Sequence, residues 1–193
     1  MCVKPRCKMT NKRRRTADKW YFYAAWAVAA IFLWVWLIQL LIAPTAAETI
    51  AVYVGSTNSV GGIREMIARE IAPQIRKVDV QNLPDDNYLV TYYEAFGRNG
   101  CDLCILTAEQ ATTVIAACGN GFASIDDIVG ASYEGCYEQN GVCLGAPIRS
   151  EVFEDTGETY YVFLCKNSVH IGALGNGTAD GYAIELFRKM VSE

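Results

Sequence analysis

An uninterrupted run of 24 residues without a formal charge, WYFYAAWAVAAIFLWVWLIQLLIA at positions 20–43, constrains this chain more than any other feature. Gln39 is its only strongly polar side chain. As a helix it rises roughly 36 Å at about 1.5 Å per residue, enough to cross a hydrocarbon core of about 30 Å with some tilt. A buried core helix is excluded by the length of the run and by its apolarity on every side. Trp20, Tyr21 and Tyr23 follow Lys19 where an interfacial aromatic belt belongs. The chain is therefore read as an arm, 1–19, a transmembrane helix, 20–43, a spacer, 44–47, and a domain, 48–193.

Charge is polarised across that divide. Residues 1–19 carry eight basic side chains against Asp18 alone, a net +7, whereas residues 44–193 carry nine basic and twenty acidic groups, a net −11. A basic stretch abutting an apolar span marks the cytoplasmic end, which puts residues 48–193 outside the cytoplasm. The bilayer accounts for the arm, so no nucleic-acid partner is expected. Thr45-Ala46-Ala47 before Glu48 also offers small residues for cleavage of a signal peptide, but the apolar run is longer than the usual 7–15 residues of such signals, which favours an uncleaved anchor.

The residues beyond the span have room for one domain. A chain that is 52% hydrophobic and 20% charged is neither disordered nor collagen-like. Positions 49–54 (TIAVYV) are β-branched and aromatic and run into Gly55, a strand and turn, and Ile63, Ile67, Ile71 and Ile75 repeat at four-residue intervals, a helix over 61–76. KVDVQNL at 77–83 alternates as a second strand. Tyr88, Tyr92, Ala95 and Phe96 recur at helical spacing before Gly97 and Gly100 end that segment. DLCIL at 102–106 is a third strand, and Thr107 with Gln110 forms a capping box opening a helix over 108–118, closed by Gly119-Asn120-Gly121. A short turn of helix is expected at 125–129, further strands at 142–148 and 159–164, and a last helix at 180–191. Strands alternating with helices predict an α/β layered domain with a mostly parallel sheet.

The order resembles one lobe of a type II periplasmic solute-binding protein, the extracytoplasmic receptor of transport systems. The resemblance is carried by IAVYVGSTNS (50–59), GCDLCIL (100–106), Gly145-Ala146-Pro147-Ile148 and YYVFLCKN (160–167). A Lys-Trp-Tyr opening, one apolar helix and a small receptor-like domain are also similar to membrane-anchored proteins of Gram-positive bacteria. The resemblance implies a non-catalytic receptor lobe that binds a small solute. Alternatively, the lobe serves as a docking or scaffold module for a membrane-protein partner such as a transporter.

Candidate ligand residues lie at the carboxyl ends of the first and third strands: Ser56, Thr57, Asn58 and Ser59 in one loop, Thr107 and Glu109 in the other. Hydroxyls and amide N–H groups at a strand-to-helix turn can hold a small polar ligand. The loop has neither a dinucleotide fingerprint nor a phosphate-loop Lys, and is also compatible with an ordinary connection capped by Ser59. No catalytic pair is visible, because His170, the only histidine, has no evident Ser or Cys partner.

Cys101 and Cys104 form a C-x-x-C, but on a strand residues three apart point to opposite faces, so neither a redox pair nor a metal site is expected. With one His and no second paired-Cys motif, a tetrahedral zinc site cannot be completed, and no cofactor is expected. Cys136 and Cys143 are the best-placed candidates for a disulfide, stapling a flexible Glu-Gln-Asn-Gly stretch. Asn176-Gly177-Thr178 is a glycosylation sequon, and the acids at 126–127 and 151–158 match no calcium loop.

Overall fold

The computed structural model describes residues 10–56, 60–71, 73–82, 86–129, 133–148, 157–172 and 180–192. The chain divides into two compact units, Met1–Ala43 and Pro44–Glu193. The first holds helix α1, Thr10–Ile42. Its apolar stretch, Lys19–Ile42, has a mean hydropathy of 2.3 and buries none of its side chains. A helix with Trp20, Phe32 and Leu41 all more than two-thirds exposed is compatible with a membrane anchor or a signal sequence.

In the second unit β1 (Thr49–Val54), β2 (Lys77–Asn82), β3 (Leu103–Thr107), β4 (Tyr137–Gln139), β5 (Val142–Pro147) and β6 (Tyr160–Leu164) make one sheet. The strand order is β2-β1-β3-β6-β5-β4. β1 pairs in parallel with β2 and with β3, while β3–β6, β6–β5 and β5–β4 are antiparallel. The expected mostly parallel sheet is therefore corrected to a mixed, mostly antiparallel one. The crossover from β1 to β2 runs through the 11-residue helix Val60–Glu70 and gives a parallel pair. Between β4 and β5 stand two residues, Asn140 and Gly141, both at positive φ (54° and 77°), and two residues permit only a hairpin.

Both faces of the sheet are covered, which is why its central strands are apolar in both directions rather than alternating with polar residues. Ile50, Val52, Val54, Leu103, Ile105, Val162 and Leu164 point to one face and pack with Ile63 and Ile67 of α2 (Val60–Glu70) and with Leu186, Phe187 and Met190 of a carboxyl-terminal helix. On the other face Tyr53, Cys104, Leu106, Phe163 and Cys165 pack with Leu89, Tyr93 and the buried side of the helix Ala108–Cys118. β2 is one edge strand, with β4 at the other, and only its Val80 is buried.

In chain order after α2, the helices are α3 (Leu89–Tyr92), α4 (Arg98–Gly100), α5 (Ala108–Cys118), α6 (Ile125–Val129) and α7 (Tyr182–Ser192). α2 stops at Glu70 rather than at 76, because Pro73 has no N–H to donate and restricts the residue before it. Ile75 is buried all the same. Between α3 and α4 the chain makes a π turn, Tyr93–Gly97, so Gly97 continues the segment instead of ending it. A Cβ at Gly97 would run into the Tyr93 ring, so the glycine permits that close approach.

Candidate functional site

Three polar constellations sit around the sheet. The first is at the carboxyl ends of β1 and β3. Thr107 caps α5 by accepting the Gln110 N–H at 3.3 Å, and Gln110 Oε1 accepts the Thr107 N–H at 3.1 Å. The Gln110 amide also donates to the Gly55 carbonyl at 2.7 Å, so one side chain serves the capping box and ties the two strand ends together. A Cβ at Gly55 would collide with Gln110 Oε1, and glycine there allows the approach.

A depression of about 260 Å³ opens beside this junction, lined by Leu89, Thr107, Glu109, Gln110, Thr113 and Glu158. Of the candidate ligand residues the structure brings Thr107 and Glu109 together here, and Ser56 is buried just after β1. Thr57, Asn58 and Ser59 lie outside the described residues, as do the sequon at 176–178 and the acids at 151–156. Leu89 and Glu158 come from segments distant in sequence and Thr113 from the next turn of the helix Ala108–Cys118, and no local motif marks them.

The second constellation ties the entry of the domain to its last loop. His170 is fully buried, and Nδ1 lies 2.7 Å from Asp180 Oδ1 while Nε2 lies 3.0 Å from the Thr49 carbonyl and 3.1 Å from that of Ala46. Every partner is an acceptor, so both ring nitrogens donate and the ring is an imidazolium. Burial opposes that charge, but the Asp180 hydrogen bond, the charges of Asp102 and Asp180 and the Thr49 carbonyl outweigh it and hold the pKa above its ordinary value. Ser168 and Asp102 stand nearby without forming a catalytic triad. Ser168 Oγ donates to Asp102 Oδ1 at 2.6 Å and accepts the His170 backbone N–H at 3.0 Å, and Asp102 Oδ2 accepts the Ala51 N–H at 2.8 Å. Burial raises the Asp102 pKa, and those two hydrogen bonds oppose it.

No protein-family model, curated protein or solved structure matches the chain.

The third constellation is a triangle of thiols. Cys101 Sγ lies 3.3 Å from Cys104 Sγ and 3.1 Å from Cys165 Sγ, and the last two are 3.4 Å apart. The expectation that Cys101 and Cys104 point to opposite faces is overturned. β3 begins only at Leu103, and a bend at Asp102 lets Cys101 turn onto the face of Cys104. Cys165 arrives from the end of β6, held opposite Asp102 by its N–H to the Asp102 carbonyl at 3.0 Å. All three are buried. Burial pushes the Cys104 thiol up, whereas the S–H groups of Cys101 and Cys104 facing Cys165 pull that sulfur down to about 6. Cys136 and Cys143 are also free thiols in the structure, the first half-buried and the second buried. Burial, together with a hydrogen bond to Cys136, raises the Cys143 pKa.

Proposed function

We propose that the chain is a membrane-tethered binding module. The basic arm and apolar helix hold it at the bilayer with residues 48–193 outside the cytoplasm, and the folded unit takes a small polar solute at the junction of β1 and β3. One observation carries the reading. α2 leaves β1 toward one face of the sheet and α5 leaves β3 toward the other, and at such a parting of neighbouring parallel strands ligands find a crevice. The state of the chain's one imidazole, whose two nitrogens are already committed, supports reading the unit as a binder.

Among the described residues, Glu109 and Glu158 are the charged ones lining the depression, so a solute bearing an amine or guanidinium is preferred over an anion. The crevice is open on one side, and an unenclosed site of this size should bind at micromolar affinity or weaker, roughly 8 kcal/mol or less. Calorimetry of the full-length protein in detergent micelles against amino acids, polyamines, basic peptides and neutral sugars tests this. Binding of a cationic solute that falls about tenfold, or 1.4 kcal/mol, in Glu109→Gln or Glu158→Gln supports it. Failure of every class to bind, or binding indifferent to both substitutions, refutes it. Protease added outside intact cells should digest residues beyond 47 and spare the arm, and release of a soluble species starting at Glu48 would refute the tether.

A second reading rests on a separate observation. Tyr88, Tyr92 and Phe96 are exposed at four-residue intervals along the α3 segment, with ring centroids 6.5 and 5.9 Å apart. Such an aromatic stripe suits a protein partner, as a docking module of a membrane complex would need. Loss of a co-purifying membrane protein on Tyr92→Lys with Phe96→Lys, in a variant that still binds no solute, would favour this reading over the first.

A further inference from the structure

We propose that Cys101, Cys104 and Cys165 form a three-sulfur site for a soft monovalent metal ion, Cu(I), independent of the solute crevice. The triangle is the first support. A metal–thiolate bond is about 2.3 Å, so an ion centred among three sulfurs holds them about 4 Å apart. The observed edges of 3.1 to 3.4 Å need to open by less than an ångström. A disulfide requires two sulfurs to close to about 2.05 Å, a larger movement that also leaves the third sulfur out.

Ligand number and type select the ion. Among the described residues this is the one group of three His, Cys, Asp or Glu side chains with ligand atoms close enough to share an ion, and all three donors are thiol sulfurs. Zinc takes four ligands, and the neighbouring carboxylate, Asp102, already accepts hydrogen bonds on both oxygens, from Ser168 and from the Ala51 N–H. Thiolate donors favour Cu(I), which is content with three.

The shell around the triangle supplies an independent observation. Tyr53 and Tyr93 are buried, and among the described residues neither hydroxyl has a hydrogen-bond partner. A buried phenol without a partner is costly, and an exception of this kind calls for an explanation. Burial first, and then the nearby thiols, raise both phenols' pKa, so each remains an O–H donor. Metal-bound thiolates would offer such donors charged acceptors, and donors of this kind around a metal site steady the charge of the ligands. The π turn contributes both Tyr93 and the Gly97 carbonyl, which accepts the Cys101 S–H at 2.7 Å.

The proton balance is explicit. Cu(I) enters as a cation, each sulfur that becomes a thiolate releases one proton to solvent, and no electron is transferred. Cys101 is the entry point, since it lines a second depression of about 300 Å³ with Asp102, Asn167 and Ser168. Affinity must therefore rise with pH.

The test is an anaerobic titration of the full-length protein in micelles with Cu(I) against a competing chelator, in a Cys2→Ser, Cys7→Ser, Cys136→Ser background. One equivalent should bind, with X-ray absorption reporting three sulfurs at about 2.3 Å. Cys104→Ser and Cys165→Ser should each weaken binding at least about 100-fold, and Tyr53→Phe with Tyr93→Phe about tenfold, while Cys118→Ser, on the same face but outside the triangle, leaves it unchanged. Binding indifferent to Cys104→Ser would overturn the site. So would fewer than three sulfurs in the wild-type absorption spectrum, which needs no variant to fold. A disulfide within the triangle in protein purified anaerobically without added reductant, or tighter binding of Zn²⁺ than of Cu(I), would overturn it equally.

Discussion

Replacing His170 with alanine should cost the folded unit about 3–5 kcal/mol, the range for breaking a buried charged pair by removing one partner. The structure shows where the cost arises. The imidazolium donates to Asp180 and to the carbonyls of Thr49 and Ala46, and its removal strips a partner from each of them at once. Asp180 retains about a fifth of its exposure and can be partly rehydrated, which places the expectation toward 3 rather than 5 kcal/mol. That is still a large fraction of the 5–15 kcal/mol that typically holds a domain together.

Tryptophan fluorescence is the wrong assay, because all four tryptophans lie between positions 20 and 36. Near-ultraviolet circular dichroism of buried tyrosines such as Tyr53 and Tyr93 follows urea unfolding of the right unit. The pH dependence carries a definite sign. The folded pKa of His170 is raised, so its stabilisation is fully present below the unfolded value of about 6.5 and is lost as pH climbs through the folded pKa. Above that point a neutral ring must aim one lone pair at a carbonyl or carboxylate oxygen. Wild-type stability should thus decline above about pH 6.5 in a way that His170→Ala does not. A loss under about 1 kcal/mol, or parallel pH profiles for the two proteins, would refute the imidazolium.

Two further substitutions probe the cap of α5 and the pairing of β5 with β6. Thr107→Ala removes the side-chain cap of α5 and should lower urea stability by about 1 kcal/mol, leaving the slope of the transition unchanged. Gly145→Ala would place a Cβ 2.5 Å from Cε1 of Phe163, its directly paired residue on β6, and should destabilise by about 1–3 kcal/mol; a neutral result would mean that the β5–β6 register differs from the one described.

What the sequence made legible was whatever depends on neighbours. The capping box Thr107–Gln110 names its own helix, and α5 spans Ala108–Cys118, as the motif and its closing Gly119 require. The strands at 49–54, 77–82 and 160–164 were readable from β-branched and aromatic runs, and the apolar helix from length alone. The sheet's direction was not, although one local signal was present. Asn140-Gly141 is the strongest short hairpin signal, and reading it as a flexible stretch hid β4 and with it the antiparallel half.

The candidate sites show a different limit. Gln110 was visible as a cap, yet its bond to the Gly55 carbonyl spans 55 positions and depends on β1 and β3 lying side by side. The thiol triangle has the same origin. C-x-x-C is conspicuous, but its chemistry depends on whether the first Cys lies inside the strand, and the bend at Asp102 decides that. Asp102, just before β3, is held on every side, with Oδ2 bonded by the Ala51 N–H, Oδ1 by Ser168, its carbonyl by the Cys165 N–H and its own N–H to the Ala51 carbonyl. One acid thus turns Cys101 onto the face of Cys104 and fixes Cys165 beside them, 61 positions away along the chain from Cys104. Spacing within a motif cannot convey this, because the third sulfur is delivered by antiparallel pairing of β3 with β6, the half of the topology that alternating strands and helices did not foretell. The bend at Asp102 accounts for Cys101, and the direction of β6 accounts for the arrival of Cys165. Strand direction determines which distant side chains arrive at a motif, and through them what chemistry the motif can support.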